Sequence, residues 1–310
     1  MGKMIGKEAT MVRCTAALVL LVAPVWAQDE EPKEEKIGEE EVVMECPARE
    51  GVELPAGRLS RGERDAPAVF VRVREAGVLQ VKVGEEWKDT SLKDLAARLK
   101  SFAEEQDREM QKSGKSAYET LPGGMKASRL FVSIDAEPTV PWQNIQWVMT
   151  IAAEQKYYKL EMSDSTRRML AFLPVDRGIR GEPVDPPLEL KVLVHVVCRK
   201  EIQAKWGDLQ VTRPTEVLYR IGDEETGALG PVCDYVRKAQ AALKDTPNAT
   251  VYGEIKAGQK APFAKVLDVM ETFEAAGLTS VNFFSTAIPP AALREAPRLP
   301  YPVKNYDTPD

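Results

Sequence analysis

Asp135 and Glu137 are the two residues of this chain best spaced for acid–base chemistry. On a strand, residues i and i+2 point to one face, and two carboxylates side by side raise the pKa of one member. The same pair sits at the end of a short β-rich run, where acids also solvate a loop or cap the next helix. His195, the single histidine, lies inside the apolar run from Val192 to Val197, the setting of a satisfied strand histidine. With no second histidine it has no partner for a nucleophilic triad or a zinc set. The sequence has no CxxC pair, no GxSxG, no HExxH and no phosphate-binding glycine loop. The residues therefore predict a noncatalytic protein without cofactor or metal.

The elements that must carry these residues follow from hydrophobic period. Val69 to Arg74 and Val78 to Val83 alternate around the Glu75-Ala76-Gly77 turn signal, which predicts a β-hairpin. Thr90 or Ser91 caps a helix with the stripe Leu92, Leu95, Ala96, Leu99, Phe102 and Ala103. A strand at 130–134, a helix at 142–155 and a strand at 157–162 complete a ββαβαβ order. Pro183 to Pro187 punctuates the chain as a linker. A second unit then runs through strands at 190–197 and 217–221, a helix at 232–243, a strand at 250–255, a helix at 263–276 and a strand at 281–285. Gly277 falls where a helix C-cap is expected. The expected organisation is a signal peptide at 1–27, an acidic disordered leader at 28–65, a first domain at 66–178, a linker at 179–187, a second domain at 188–290 and a Pro-rich tail at 291–310. The fold class is α+β, two ββαβαβ-type units, each a small mixed sheet with two helices on one face.

The two units share more than an order of elements. Ala136, Pro141, Trp142, Val148 and Met149 recur as Ala257, Pro262, Phe263, Val269 and Met270, at a constant offset of 121 residues. A duplication is the simplest account. The run from Ala136 through Pro141-Trp142 to Val148-Met149, and its counterpart from Ala257 through Phe263 to Val269-Met270-Glu271 and Ala276-Gly277, resemble the closing half of the ExbD/TolR biopolymer-transport family's periplasmic domain. The likeness implies tandem copies of that domain, a noncatalytic role, and a partner in the cell envelope, either a transport or motor component or peptidoglycan. It departs from the family where Glu137 and Gly258 stand at the loop aspartate. The N-terminal apolar segment also lacks the intramembrane acid of the proton-conducting subunits. Glu137, Trp142 and Phe263 are the candidate binding residues, with packing at a helix start the plainer reading of the two aromatics. Because paired family domains often dimerise, the covalent pair can stand in for a homodimer, and a homo-oligomer is a further expectation.

Charge and targeting bound the setting. Asp29 to Glu41 holds eight acids against two bases, which accounts for the net charge of -6 and leaves the remainder nearly neutral. A nearly neutral body lacks the basic face that nucleic-acid binding requires. Lys3, Lys7 and Arg13, the uncharged run from Cys14 to Ala27 and Val25-Trp26-Ala27 before Gln28 have the layout of a cleaved signal peptide, hence a periplasmic or otherwise exported protein. An uncleaved segment would instead make a membrane-anchored ExbD-like subunit. Cleavage leaves Cys46, Cys198 and Cys233, of which Cys198 with Cys233 is the candidate disulfide, the alternative being idle thiols. Asn248-Ala249-Thr250 fits a glycosylation sequon. A secreted hydrolase with paired carboxylates between the units is the competing functional class.

Overall fold

Valines at every second position make the first long strand amphipathic, with Val69, Val71 and Val73 buried and Phe70 and Arg72 on the other face. The structure, a computed structural model, describes residues 59–60, 66–120, 126–172, 189–246, 249–278, 281–283 and 288–303. The expected signal peptide, the Pro183–Pro187 linker, most of the acidic leader, Cys46 and Asn248 lie outside these residues.

The protein is mixed α+β, with two mixed sheets and five helices among the described residues. The first lobe comprises β1 (Leu59–Ser60), β2 (Ala68–Val73), β3 (Leu79–Val83), β4 (Glu86–Asp89), α1 (Leu92–Gln111), β5 (Tyr118–Thr120), β6 (Lys126–Ala136), α2 (Trp142–Glu154), β7 (Tyr157–Ser163) and β8 (Arg168–Phe172). Its sheet order is β1-β8-β7-β6-β2-β3-β4, with β5 also pairing β6, and β2, β6 and β7 parallel to one another. The second lobe comprises β9 (Glu189–Trp206), β10 (Leu209–Ile221), β11 (Glu224–Thr226), α3 (Gly230–Ala242), β12 (Thr250–Ala257), α4 (Phe263–Ala275) and β13 (Val281–Phe283), in the sheet order β11-β10-β9-β12-β13. A short helix, α5 (Ala291–Arg294), follows.

Several features differ from the sequence expectation. Each lobe has a third meander strand before its first helix, because Gly84 and Gly222, at φ 62° and 59°, close tight turns that fold β4 and β11 back onto the meander. The stretch between the expected strands at 190–197 and 217–221 is part of a long antiparallel ribbon of β9 and β10, closed by Gly207 at φ 62°. The tail, expected to lie beyond the ordered core, contributes buried Leu299 and Tyr301. At the other end Leu59–Ser60, assigned to the leader, pairs with β8.

Local rules account for the helix ends. The Ser91 hydroxyl accepts the Asp94 N–H at 3.1 Å and starts α1, whose Leu92, Leu95, Leu99 and Ala103 face the core. Gly277, at φ 80°, stops α4, and the Leu278 N–H bonds the Phe273 carbonyl at 2.8 Å in a Schellman closure. Gly253 on β12 leaves room for the Phe273 ring, since a Cβ there would lie 2.5 Å from it. Gly253→Val is expected to destabilise the protein by about 1–3 kcal/mol through overpacking, read as a lower urea midpoint, and Phe273→Leu in the same chain should recover part of the loss.

Candidate functional site

The 121-residue repeat meets itself at the junction of the lobes. The Trp142 N–H donates to the Ala261 carbonyl at 2.7 Å, and the Phe263 N–H donates to the Val140 carbonyl at 2.8 Å. The Gln143 N–H reaches the Gln259 carbonyl at 3.2 Å, and the Ala264 N–H reaches the Pro138 carbonyl at 3.1 Å. Each bond maps onto its partner by the repeat offset, and Pro141 bridges Pro262 antiparallel. Two equivalent segments thus pair about a local two-fold axis, the pattern of an isologous interface. The first N–H groups of a helix have no partner within it, and Pro141 and Pro262 offer no side-chain cap. The opposite lobe supplies the missing acceptors.

Trp142 and Phe263 are fully buried and stack on each other, ring centroids 6.4 Å apart at 7°, with Phe283 5.8 Å from Trp142. The structure thus corrects their reading as contacts for an external partner: each ring packs against the other lobe, leaving no surface for a ligand. Glu137 is engaged as well. It accepts from the Arg74 guanidinium at 3.3 Å and from the Glu75 N–H at 2.5 Å. Asp135 pairs with Arg72 at 2.8 Å. The two neighbouring carboxylates each have their own arginine, so the proposed like-charge pair is a pair of salt bridges that tie β2 to β6. Cys198 on β9 and Cys233 on α3 are buried thiols, not joined to each other. His195 lies on β9 with a ring nitrogen 3.4 Å from the Arg220 guanidinium.

Sequence reasoning missed a second set of residues at the junction. Arg167, on the turn between β7 and β8, reaches into the second lobe. It pairs with Asp268 at 2.5 Å and Glu271 at 3.0 Å, and donates to the Ala264 carbonyl at 2.8 Å. Tyr219 donates to Asp268 at 2.9 Å, and Lys265 lies 3.2 Å from the same carboxylate. Burial opposes the Arg167 charge, but hydrogen bonds to Asp268 and Glu271 outweigh it and hold its pKa above the ordinary value. Burial likewise pushes the Tyr219 phenol upward, reinforced by Asp268. For Asp164, burial raises the pKa; bonds from Thr166 and Arg167 outweigh it and hold the carboxyl below its usual range. The local signal was Asp164-Ser165-Thr166-Arg167, an Asx turn in which Asp164 accepts the Thr166 and Arg167 N–H groups at 2.8 and 3.0 Å.

α2 is buried almost all round. Besides the expected Ile145, Val148, Met149 and Ala152, it buries Gln143, Asn144, Gln146 and Trp147. Both polar atoms of the Asn144 side chain are buried without a hydrogen-bond partner among the described residues. Away from the junction lies a groove of about 310 Å³ at the end of the first sheet, lined by Ala68, Phe70, Lys82, Glu85, Arg98 and Phe102. Lys82 pairs with Glu85 at 3.6 Å, and no carboxylate among the described residues pairs with Arg98. Two cations beside two phenyl rings suit a ligand with an anionic group on an apolar body.

Among the described residues, no three His, Cys, Asp or Glu side chains are grouped to hold a metal ion, and no helix is long and apolar enough to cross a membrane. Compared with protein-family models, curated proteins and solved structures, the chain matches none.

Trp142→Ala and Phe263→Ala are each expected to cost about 3–5 kcal/mol in chemical unfolding, with the double variant losing less than the sum because the rings share one contact. Asn144→Leu is expected to raise the urea midpoint, since an unsatisfied buried amide costs about 1–3 kcal/mol. The lowered Asp164 pKa contributes stability that is complete above the unfolded carboxyl value of about 3.9 and is lost as pH falls through the lower folded value. Unfolding midpoints measured from pH ~5 to ~2 should therefore fall less steeply for Asp164→Asn than for the unaltered protein.

Proposed function

We propose that the chain is an exported, noncatalytic tandem module that binds a cell-envelope partner, and that its two lobes are copies of one ββαβαβ unit resembling the ExbD/TolR periplasmic domain. The observation that carries this reading is the reciprocal junction, in which residues 121 apart in sequence exchange main-chain bonds about a local two-fold. Such pairing suits a duplicated binding domain held in one fixed geometry. The carboxylates available for catalysis support the same reading, because Asp135, Glu137, Asp268 and Glu271 each bond an arginine.

The partner is a transport or motor component or the peptidoglycan wall. The module carries no proton itself, since the apolar segment from Cys14 to Ala27 contains no acid. The cationic groove beside Arg98 is its contact for an acidic group on that partner. The acidic leader acts as a spacer between the point of export and the folded lobes.

Affinity capture from membrane and wall fractions tests the proposal. The unaltered protein should retain an envelope protein or bind purified wall sacculi, and Arg98→Glu should weaken retention about tenfold or more while leaving the unfolding midpoint unchanged, because Arg98 forms no ion pair among the described residues. Retention of nothing from either fraction would overturn it. N-terminal sequencing of the exported form should begin at Gln28, whereas an intact Met1 would indicate a membrane-anchored subunit.

A further inference from the structure

The segment after α5 is the least regular part of the described chain, yet it is held at the junction of both lobes. Pro297, Pro300 and Pro302 lock its backbone and remove donors, so it forms neither helix nor strand. Two side chains anchor it. Leu299 is 2% exposed, and its N–H donates to the Gly77 carbonyl at 2.8 Å. Tyr301 meets Trp206 edge-on, ring centroids 5.4 Å apart.

The seat for this strap is built from both lobes. On the first, Gly77 lies at φ 72°, and a Cβ there would fall 1.8 Å from the Leu299 carbonyl oxygen, so only glycine admits the strap so closely. On the second, the ladder pairs Trp206 with Leu209, Ala204 with Val211 and Ile202 with Arg213, which places all six on one face of the β9–β10 ribbon. Arg213 lies over the Trp206 ring at 5.2 Å and pairs with Glu75 of the first lobe at 3.5 Å. An aromatic ring, a flanking cation and a main-chain carbonyl acceptor at Gly77 form the kind of surface that takes extended proline-rich segments. The apolar face is also longer than its occupant. Trp206 is 2% exposed under the strap, whereas Ile202 and Leu209 on the same face are 55% and 61% exposed.

We propose that the ribbon face around Trp206, with the Gly77 backbone, is a binding surface for an extended proline-rich segment bearing a leucine and an aromatic residue. The strap at 295–303 occupies it in cis, and a partner protein's segment of the same chemistry displaces the strap and extends over Ile202 and Leu209. The surface is distinct from the Arg98 groove, and its occupancy can be tested whatever the cellular location of the protein.

The test uses the full-length chain carrying Leu299→Asp and Tyr301→Ser, which removes both anchors, and a synthetic peptide of residues 295–303 as the probe. Calorimetric titration should show saturable one-to-one binding to this variant. Binding to the unaltered protein should be about tenfold weaker or more, because the tethered strap competes at an effective concentration in the millimolar range. Trp206→Ala in the variant should abolish binding. No binding to a variant that circular dichroism shows to be folded, or binding that survives Trp206→Ala, would overturn the proposal. Should the variant not fold, hydrogen exchange on the unaltered protein decides: millimolar peptide should speed exchange of the Leu299 amide at least severalfold, and unchanged exchange would overturn the proposal.

Discussion

The junction rests on how two helices obtain acceptors for their first N–H groups. α2 and α4 both begin after a proline that has no side chain to cap them, and each takes its acceptors from the loop preceding the other. The bond is reciprocal, so neither lobe can complete its helix start alone. Burying an unpaired N–H costs about as much as a lost hydrogen bond, which makes separation of the lobes expensive at several positions together. The stacked Trp142 and Phe263 rings then fill the space that the main-chain bonds bring close, and both lobes fall within one compact unit.

Around this symmetric centre the contacts are asymmetric. Arg167 enters the second lobe, whereas Ile288 stands at the matching offset in the repeat. The long ribbon extends from the second lobe and reaches back to the Glu75–Gly77 turn of the first, with the strap between them. The two lobes therefore differ at their periphery while the central pairing keeps the 121-residue register. The charged groups follow the same division. Most carboxylates that looked available for chemistry are acceptors for arginines that join β2 to β6 or one lobe to the other. Such partly buried pairs position elements, and they are costly when one partner is removed.

Much of the fold was legible from local signals. Alternating valines marked β2, the leucine stripe and Ser91 marked α1, and Gly277 marked the end of α4, because each depends only on neighbours in sequence. The ribbon was missed although Gly207-Asp208 is a two-residue hairpin signal, since the flanking arms are polar and lack the alternation of a half-buried strand. Their polarity has a physical cause: the pairing of β9 with β12 ends at Val196, and between residues 199 and 216 only Trp206 is a buried hydrophobic. The tail was missed for a related reason, because prolines usually end an ordered core, and the burial of Leu299 and Tyr301 depends on surfaces more than 70 residues away in sequence.

The sequence by itself determined the repeat, its register and the positions of its aromatic and proline markers, because these are properties of spacing. It also contained every residue of the junction without indicating that they meet. Tertiary structure alone decided that Trp142 and Phe263 face each other instead of a partner, that Asp135 and Glu137 are each neutralised by an arginine, and that Asn144 is buried beside expected core residues. Burial and pairing depend on what the rest of the chain brings into contact. A carboxylate's chemistry is set by its nearest charge, and that charge lies 63 residues away for both Asp135 and Glu137.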